Sequence, residues 1–163
     1  MHFSGFAKPV AVSLLLMFGF ALPAHAQNNK QIVSGTFYED RASATSSANA
    51  SLLLTFTQSP TDMFLNVTNV SCSIQVSSGQ VLSTMNLQVG TTLGQIDIGR
   101  PYALKGNTNP ETIGPSKVYS VVTNQVFYKM GPGRYPSIEF NSNSAGAFSY
   151  DVNCVIVGNL TSS

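Results

Sequence analysis

Histidine is almost missing from this chain. Its two copies, His2 and His25, both fall within the first 26 residues. The stretch from Gln27 to Ser163 has none, which removes Ser-His-Asp and Cys-His catalysis and the usual zinc sites. Tryptophan is absent altogether, and with it the best cation–π platform and a frequent sugar-stacking residue. Charge is scarce: 9% of residues are Asp, Glu, Lys or Arg, where ordinary chains carry about a quarter. Only Lys8 among the cations precedes residue 27, so seven cations face seven acids beyond it. No basic stripe is available to neutralise phosphates, so nucleic acid is not an expected partner. No metal or cofactor motif occurs, and none is expected to be bound.

Residues 1–26 read as a secretory signal peptide. Lys8 supplies the positive charge, Val10 to Leu22 the apolar stretch, and Ala24-His25-Ala26 the small-residue cleavage signal. The apolar run is short of the roughly 20 residues that a membrane-spanning helix needs. Nothing later in the chain is long and apolar enough to span as a helix. The expected location is exported, periplasmic or extracellular. Residues 27–163 have the length of a single domain.

Two cysteines remain, Cys72 and Cys154. An exported chain meets oxidising conditions, so an even cysteine count implies pairing. Each lies on an alternating apolar stripe. Phe148, Tyr150, Val152, Cys154 and Ile156 alternate with Ser149, Asp151 and Asn153. Val70, Cys72, Ile74 and Val76 alternate with Ser71, Ser73 and Gln75. This period of two predicts half-buried strands, joined by a structural Cys72–Cys154 bridge.

The rest of the pattern is also strand-like. A first strand is expected over Gln31–Glu39, then a Ser/Ala-rich loop over Asp40–Asn49. Leu52, Leu53, Leu54 and Phe56 suggest a strand buried on both faces and stopped by Ser59-Pro60. In Met63–Val76 the inward parity changes between Leu65/Val67 and Val70/Cys72, which predicts a bulge near Thr68–Asn69. Further strands are expected from Val81 to Val89, from Leu93 to Ile98, from Lys117 to Met130, from Ser137 to Phe140 and from Ala147 to Leu160. Arg100 to Pro115 reads mainly as loop. About eight strands at this spacing predict an all-β, two-layer antiparallel β-sandwich, jelly-roll-like, with an immunoglobulin-like arrangement as the runner-up. An outer-membrane barrel is disfavoured, because its lumen would be polar where this chain points apolar side chains and cysteines.

Candidate sites are few. Arg100 with Tyr102, and Arg134 with Tyr135, form a proline-containing loop pair of the residue types enriched at binding hot spots. The competing explanation is that both tyrosines cap the ends of the core. Glu39 with Glu139, or Asp97 with Glu139, are carboxylate pairs that glycoside hydrolysis would need, though no spacing selects them. Asp97, Asn107, Asn109 and Glu111 offer oxygens but lack a calcium-loop spacing. Asn49, Asn66, Asn69 and Asn159 begin glycosylation-type triplets, expected by chance in so Ser- and Asn-rich a chain. Lys117–Met130 carries apolar residues at both parities, and Tyr119, Val121 and Phe127 are expected to mediate homo-oligomer or partner contact. The expected function is a non-enzymatic exported sandwich that binds a glycan or protein surface or builds the envelope. The alternative is a glycosidase-like hydrolase with two carboxylates.

Overall fold

The computed structural model describes residues 27–47, 49–107, 109–143 and 149–162. Residues 1–26, where a signal sequence is expected, and Phe148 of the closing stripe lie outside the described residues. The strands in chain order are β1 (Gln27–Ser34), β2 (Phe37–Ser47), β3 (Ser51–Thr55), β4 (Phe64–Ser77), β5 (Leu82–Gly90), β6 (Tyr102–Ala103), β7 (Glu111–Ile113), β8 (Ser116–Met130), β9 (Tyr135–Ser142) and β10 (Ser149–Thr161). They form a six-stranded sheet, β1-β2-β10-β4-β8-β7, and a four-stranded sheet, β3-β9-β5-β6. Every pairing is antiparallel. The two sheets pack as a β-sandwich. Each gives one face to a common core that includes Leu54, Phe140, Leu87, Ile74, Val152 and Ile156.

The closing strand β10 lies in the middle of the large sheet, between β2 and β4. Its even-numbered residues from Tyr150 to Leu160 are buried. Cys154 sits directly opposite Cys72, and the two form a disulfide with Cα atoms 4.1 Å apart. The bridge lies on the inner face, with both cysteines buried. It closes a span of 82 residues, which on the chain-entropy account stabilises the fold by about 4.5 kcal/mol.

The bulge expected near Thr68–Asn69 is present, and it belongs to a crease that crosses three strands. Pairing slips between Val67 and Asn69 on β4, and between Val157 and Gly158 on β10. On β8, three residues, Gln125 to Phe127, stand opposite Thr68 alone. Extra residues bend a strand and sharpen its twist. Thr68 turns its hydroxyl back to the Val157 carbonyl at 3.2 Å, and Asn69 donates to Asn124 Oδ1 at 2.8 Å. Gly158 is required at the crease: a Cβ there would lie 2.3 Å from the Asn66 carbonyl oxygen.

Several local expectations need correction. Gln31–Glu39 is not one strand but the turn between two, with Gly35 at a φ of 57° where a side chain is disfavoured. Asp40–Ser47 is strand, not loop; its inward residues are Asp40, Ala42, Ala44 and Ser46, too small or polar to show an apolar period. Leu93–Ile98 contains two turns rather than a strand. Arg100–Pro115 includes the short strands β6 and β7 and a bridge from Gly106 to Val121. On β8, Gln125 has a φ of 65°. Inward residues are therefore odd-numbered before it (Tyr119, Val121) and even-numbered after it (Val126, Tyr128, Met130). The strand has one apolar face that switches parity, not two.

Candidate functional site

The loop-pair residues fall into two groups with β5 between them. Tyr102 on β6 lies opposite Leu87, and Tyr135 on β9 lies opposite Gly90. Around Tyr102, the structure assembles an aromatic cluster. The rings of Tyr102 and Tyr128 meet edge to face at 6.3 Å between centroids. The Arg100 guanidinium stands 5.3 Å from the Tyr128 ring centre. The Tyr128 hydroxyl donates to the Arg100 carbonyl at 2.6 Å, and burial pushes its pKa up against the opposing pull of Arg100. Tyr102 is half-buried on the edge strand of the small sheet and packs against the core.

Arg134 belongs to the connection before β9. Its backbone is held by Ser59, whose hydroxyl accepts from Arg134 N at 3.0 Å and whose amide donates to Arg134 O at 2.8 Å. Asp97 lies nearby. Hydrogen bonds from the Thr91 hydroxyl and amide hold its carboxyl below the usual aspartate range, with a smaller contribution from the Arg134 charge.

Glu39 and Glu139 do not converge. Glu39 projects from the outer face of the large sheet and is bound by Arg41 at 2.9 Å. Glu139 projects from the outer face of the small sheet and accepts from Gln88 at 2.8 Å. The two thus point away from opposite sides of the sandwich. The Asn107 side-chain amide donates to the Asn109 backbone carbonyl at 2.9 Å, and Asn107 Oδ1 accepts from the Ser120 amide at 2.9 Å, while Asp97 is engaged with Thr91. No group of three or more potential metal-binding side chains occurs among the described residues. Asn66 and Asn69 lie within β4, and their amides bond to neighbouring strands.

One acid is inside. Asp40 on β2 is fully buried, and no cation among the described residues acts on it. It accepts from the Thr57 amide at 2.8 Å, the Thr57 hydroxyl at 3.4 Å and the Tyr38 hydroxyl at 3.3 Å. Gln31 in turn donates to the Tyr38 oxygen at 3.1 Å. Burial raises the Asp40 pKa, and these hydrogen bonds offset it only in part. The group ties β1, β2 and the segment after β3 together, with Asp40 and Tyr38 buried and Gln31 and Thr57 half-buried.

Of the three residues expected to mediate association, Tyr119 and Val121 point into the core. Phe127 is at the surface, 85% exposed, with Val122 at 67%. Both stand on the outer side of β8, the strand whose far edge carries only short β7 and the Gly106 bridge among the described residues.

Sequence reasoning missed a concave area on the outer face of the large sheet, about 470 Å³ in volume, where β1, β2, β10 and β4 run side by side. Asn153 stands opposite Ser43 on one side and Ser73 on the other; one rung along, Val155 stands between Arg41 and Ser71. Lys30 is directly opposite Arg41. None of its lining residues is acidic. Two further grooves follow the β5 edge beside Leu104 and Tyr119, at about 420 Å³, and the crease beside Phe127, at about 300 Å³. Neither is lined by a carboxylate. The outer-face residues come from four separate strands, so only strand order brings them together. Comparison with known protein families, curated proteins and solved structures found no significant match for this chain.

Proposed function

We propose that the chain is an exported, non-enzymatic binding module of the cell envelope or its surroundings, periplasmic or extracellular once residues 1–26 are removed. The observation that carries this reading is the outer face of the large sheet. Its concavity is lined by hydroxyls, amides and two cations around Val155, Ala42 and Cys154, with no carboxylate. Glycoside hydrolysis needs two carboxylates across one bond, and Glu39 and Glu139 face opposite ways. The disulfide fits an oxidising compartment. No helix among the described residues is long and apolar enough to cross a membrane.

The test is retention of the purified mature protein on insoluble envelope material and on a panel of immobilised polysaccharides, with release of reducing ends measured in parallel. Retention without release is expected. Release that disappears in Glu39→Gln or Glu139→Gln would replace this reading with the hydrolase. A second reading rests on the exposure of Phe127 and Val122: the outer side of β8 mediates self-association. Light scattering after size exclusion is then expected to give a mass above that of one chain, falling to one chain in Phe127→Ser.

A further inference from the structure

We propose that the concavity beside Lys30 and Arg41 binds a sugar unit bearing a carboxylate, of the hexuronate class. This rests on the binding-module reading above and names its ligand.

The first argument is charge. Like charges directly opposite on neighbouring strands are destabilising, yet Lys30 and Arg41 are such a pair. Glu39 engages Arg41 through its Nε at 2.9 Å. Lys30 has no acidic partner among the described residues. In a chain with so little charge, the rim of this concavity therefore keeps an uncompensated ammonium beside a guanidinium. An arriving carboxylate relieves the repulsion that the protein itself leaves in place.

The second argument is the floor. Ser71 and Ser73 are exposed, and their hydroxyls have no protein hydrogen-bond partner among the described residues. They lie two apart on β4, so both point to the same side. Asn153 on the adjacent strand stands opposite Ser73. These groups form a grid of small donors and acceptors, spaced about 5 Å across strands and about 7 Å along them. A polyhydroxylated ring can use such a grid together with the cations. The third argument is what the floor lacks. No aromatic side chain lines the concavity, so a neutral sugar would find no stacking surface. Asp151, whose Oδ1 accepts from Asn153 at 3.4 Å, stands one rung away and sets a limit on how far the anion extends in that direction. The volume falls in the range of about 300–1,000 Å³ typical of small-molecule sites.

The test is calorimetric titration of the mature protein with tri-galacturonate and with maltotriose, at one ionic strength near ~0.15 M. Tri-galacturonate is expected to bind and maltotriose to give no heat. Removing a charge-assisted contact costs about tenfold in affinity, so Lys30→Gln/Arg41→Gln is expected to lose at least that. Ser71→Ala/Ser73→Ala is expected to weaken binding several-fold with its salt dependence unchanged. The control pair Lys105→Gln/Lys129→Gln is expected to bind as wild type. Equal loss in the control would mean unspecific attraction of an anion to any surface cation and overturn the proposal. So would wild-type affinity in the Lys30/Arg41 pair, or no heat with tri-galacturonate. Retention on envelope material is measured separately: if it persists while tri-galacturonate fails, the ligand class is wrong and the binding module stands.

Discussion

On the inner face of the six-stranded sheet, Tyr119, Ile74, Cys72, Val152 and Cys154 are packed against the second sheet. On its outer face the same three strands present Ser71, Ser73, Ser120, Asn153 and Asp151. The two faces alternate residue by residue, so neighbours in sequence belong to different physical regimes. The inner face is fixed by removal of apolar surface from water, a term that every residue shares. The outer face is constrained by solubility and by cross-strand pairs such as Asn69 with Asn124, and there small uncharged side chains suffice. A departure from that plain pattern on the outer face therefore has no packing reason. Lys30 opposite Arg41 is one such departure; Phe127 is another.

Adjacent residues on β8 break the comparison most directly. Val121 is fully buried while Val122 is 67% exposed. Val121→Asp places an unpaired charge in the core and is expected to abolish folding, read as loss of cooperative unfolding by circular dichroism. The bridge comes next. Cys72→Ala/Cys154→Ala is expected to lose about 4.5 kcal/mol in denaturant titration, and an unchanged midpoint would show that the inner face holds without it.

Asp40 sharpens the contrast, because it is the acid on the wrong face. Its pKa is raised in the folded chain, chiefly by burial. The fold thus favours the protonated form: that contribution is full below the ordinary aspartate value of ~4 and is lost as pH rises through the raised folded value. Asp40→Asn is expected to remove this dependence, so wild type and variant should diverge in denaturation midpoint between acid and neutral pH. Asp40→Ala leaves the Thr57 amide without its acceptor and is expected to cost about 1–3 kcal/mol. The smallest effect is Val122→Asp, expected to change stability by no more than about 0.5 kcal/mol.

These differences explain what could be read from the chain. The sandwich, the pairing of Cys72 with Cys154 and the bulge at Thr68 were legible because β4 and β10 carry large apolar residues every second position. Strand β2 was not, because Ala42, Ala44 and Ser46 bury too little surface to register as a period. The parity switch on β8 was hidden because Gln125 occupies a left-handed conformation with no glycine to announce it. The Lys30/Arg41 concavity was invisible for a different reason. Its residues come from four strands, and the order β1-β2-β10-β4 places strands from the two ends of the chain next to each other.

The crease has a consequence for how the protein behaves in a crowd. Where it reaches β8, it reaches the open border of the large sheet, beyond the last contact with Gly106. Open borders are templates on which other chains can add strands and begin to aggregate. A growing fibril needs a straight, evenly spaced row of amides and carbonyls, and the kink at Gln125 interrupts that row partway along. Lys129 adds a charge just past the interruption. The same irregularity that bends the sheet over its core thus leaves an incoming strand no continuous register to copy.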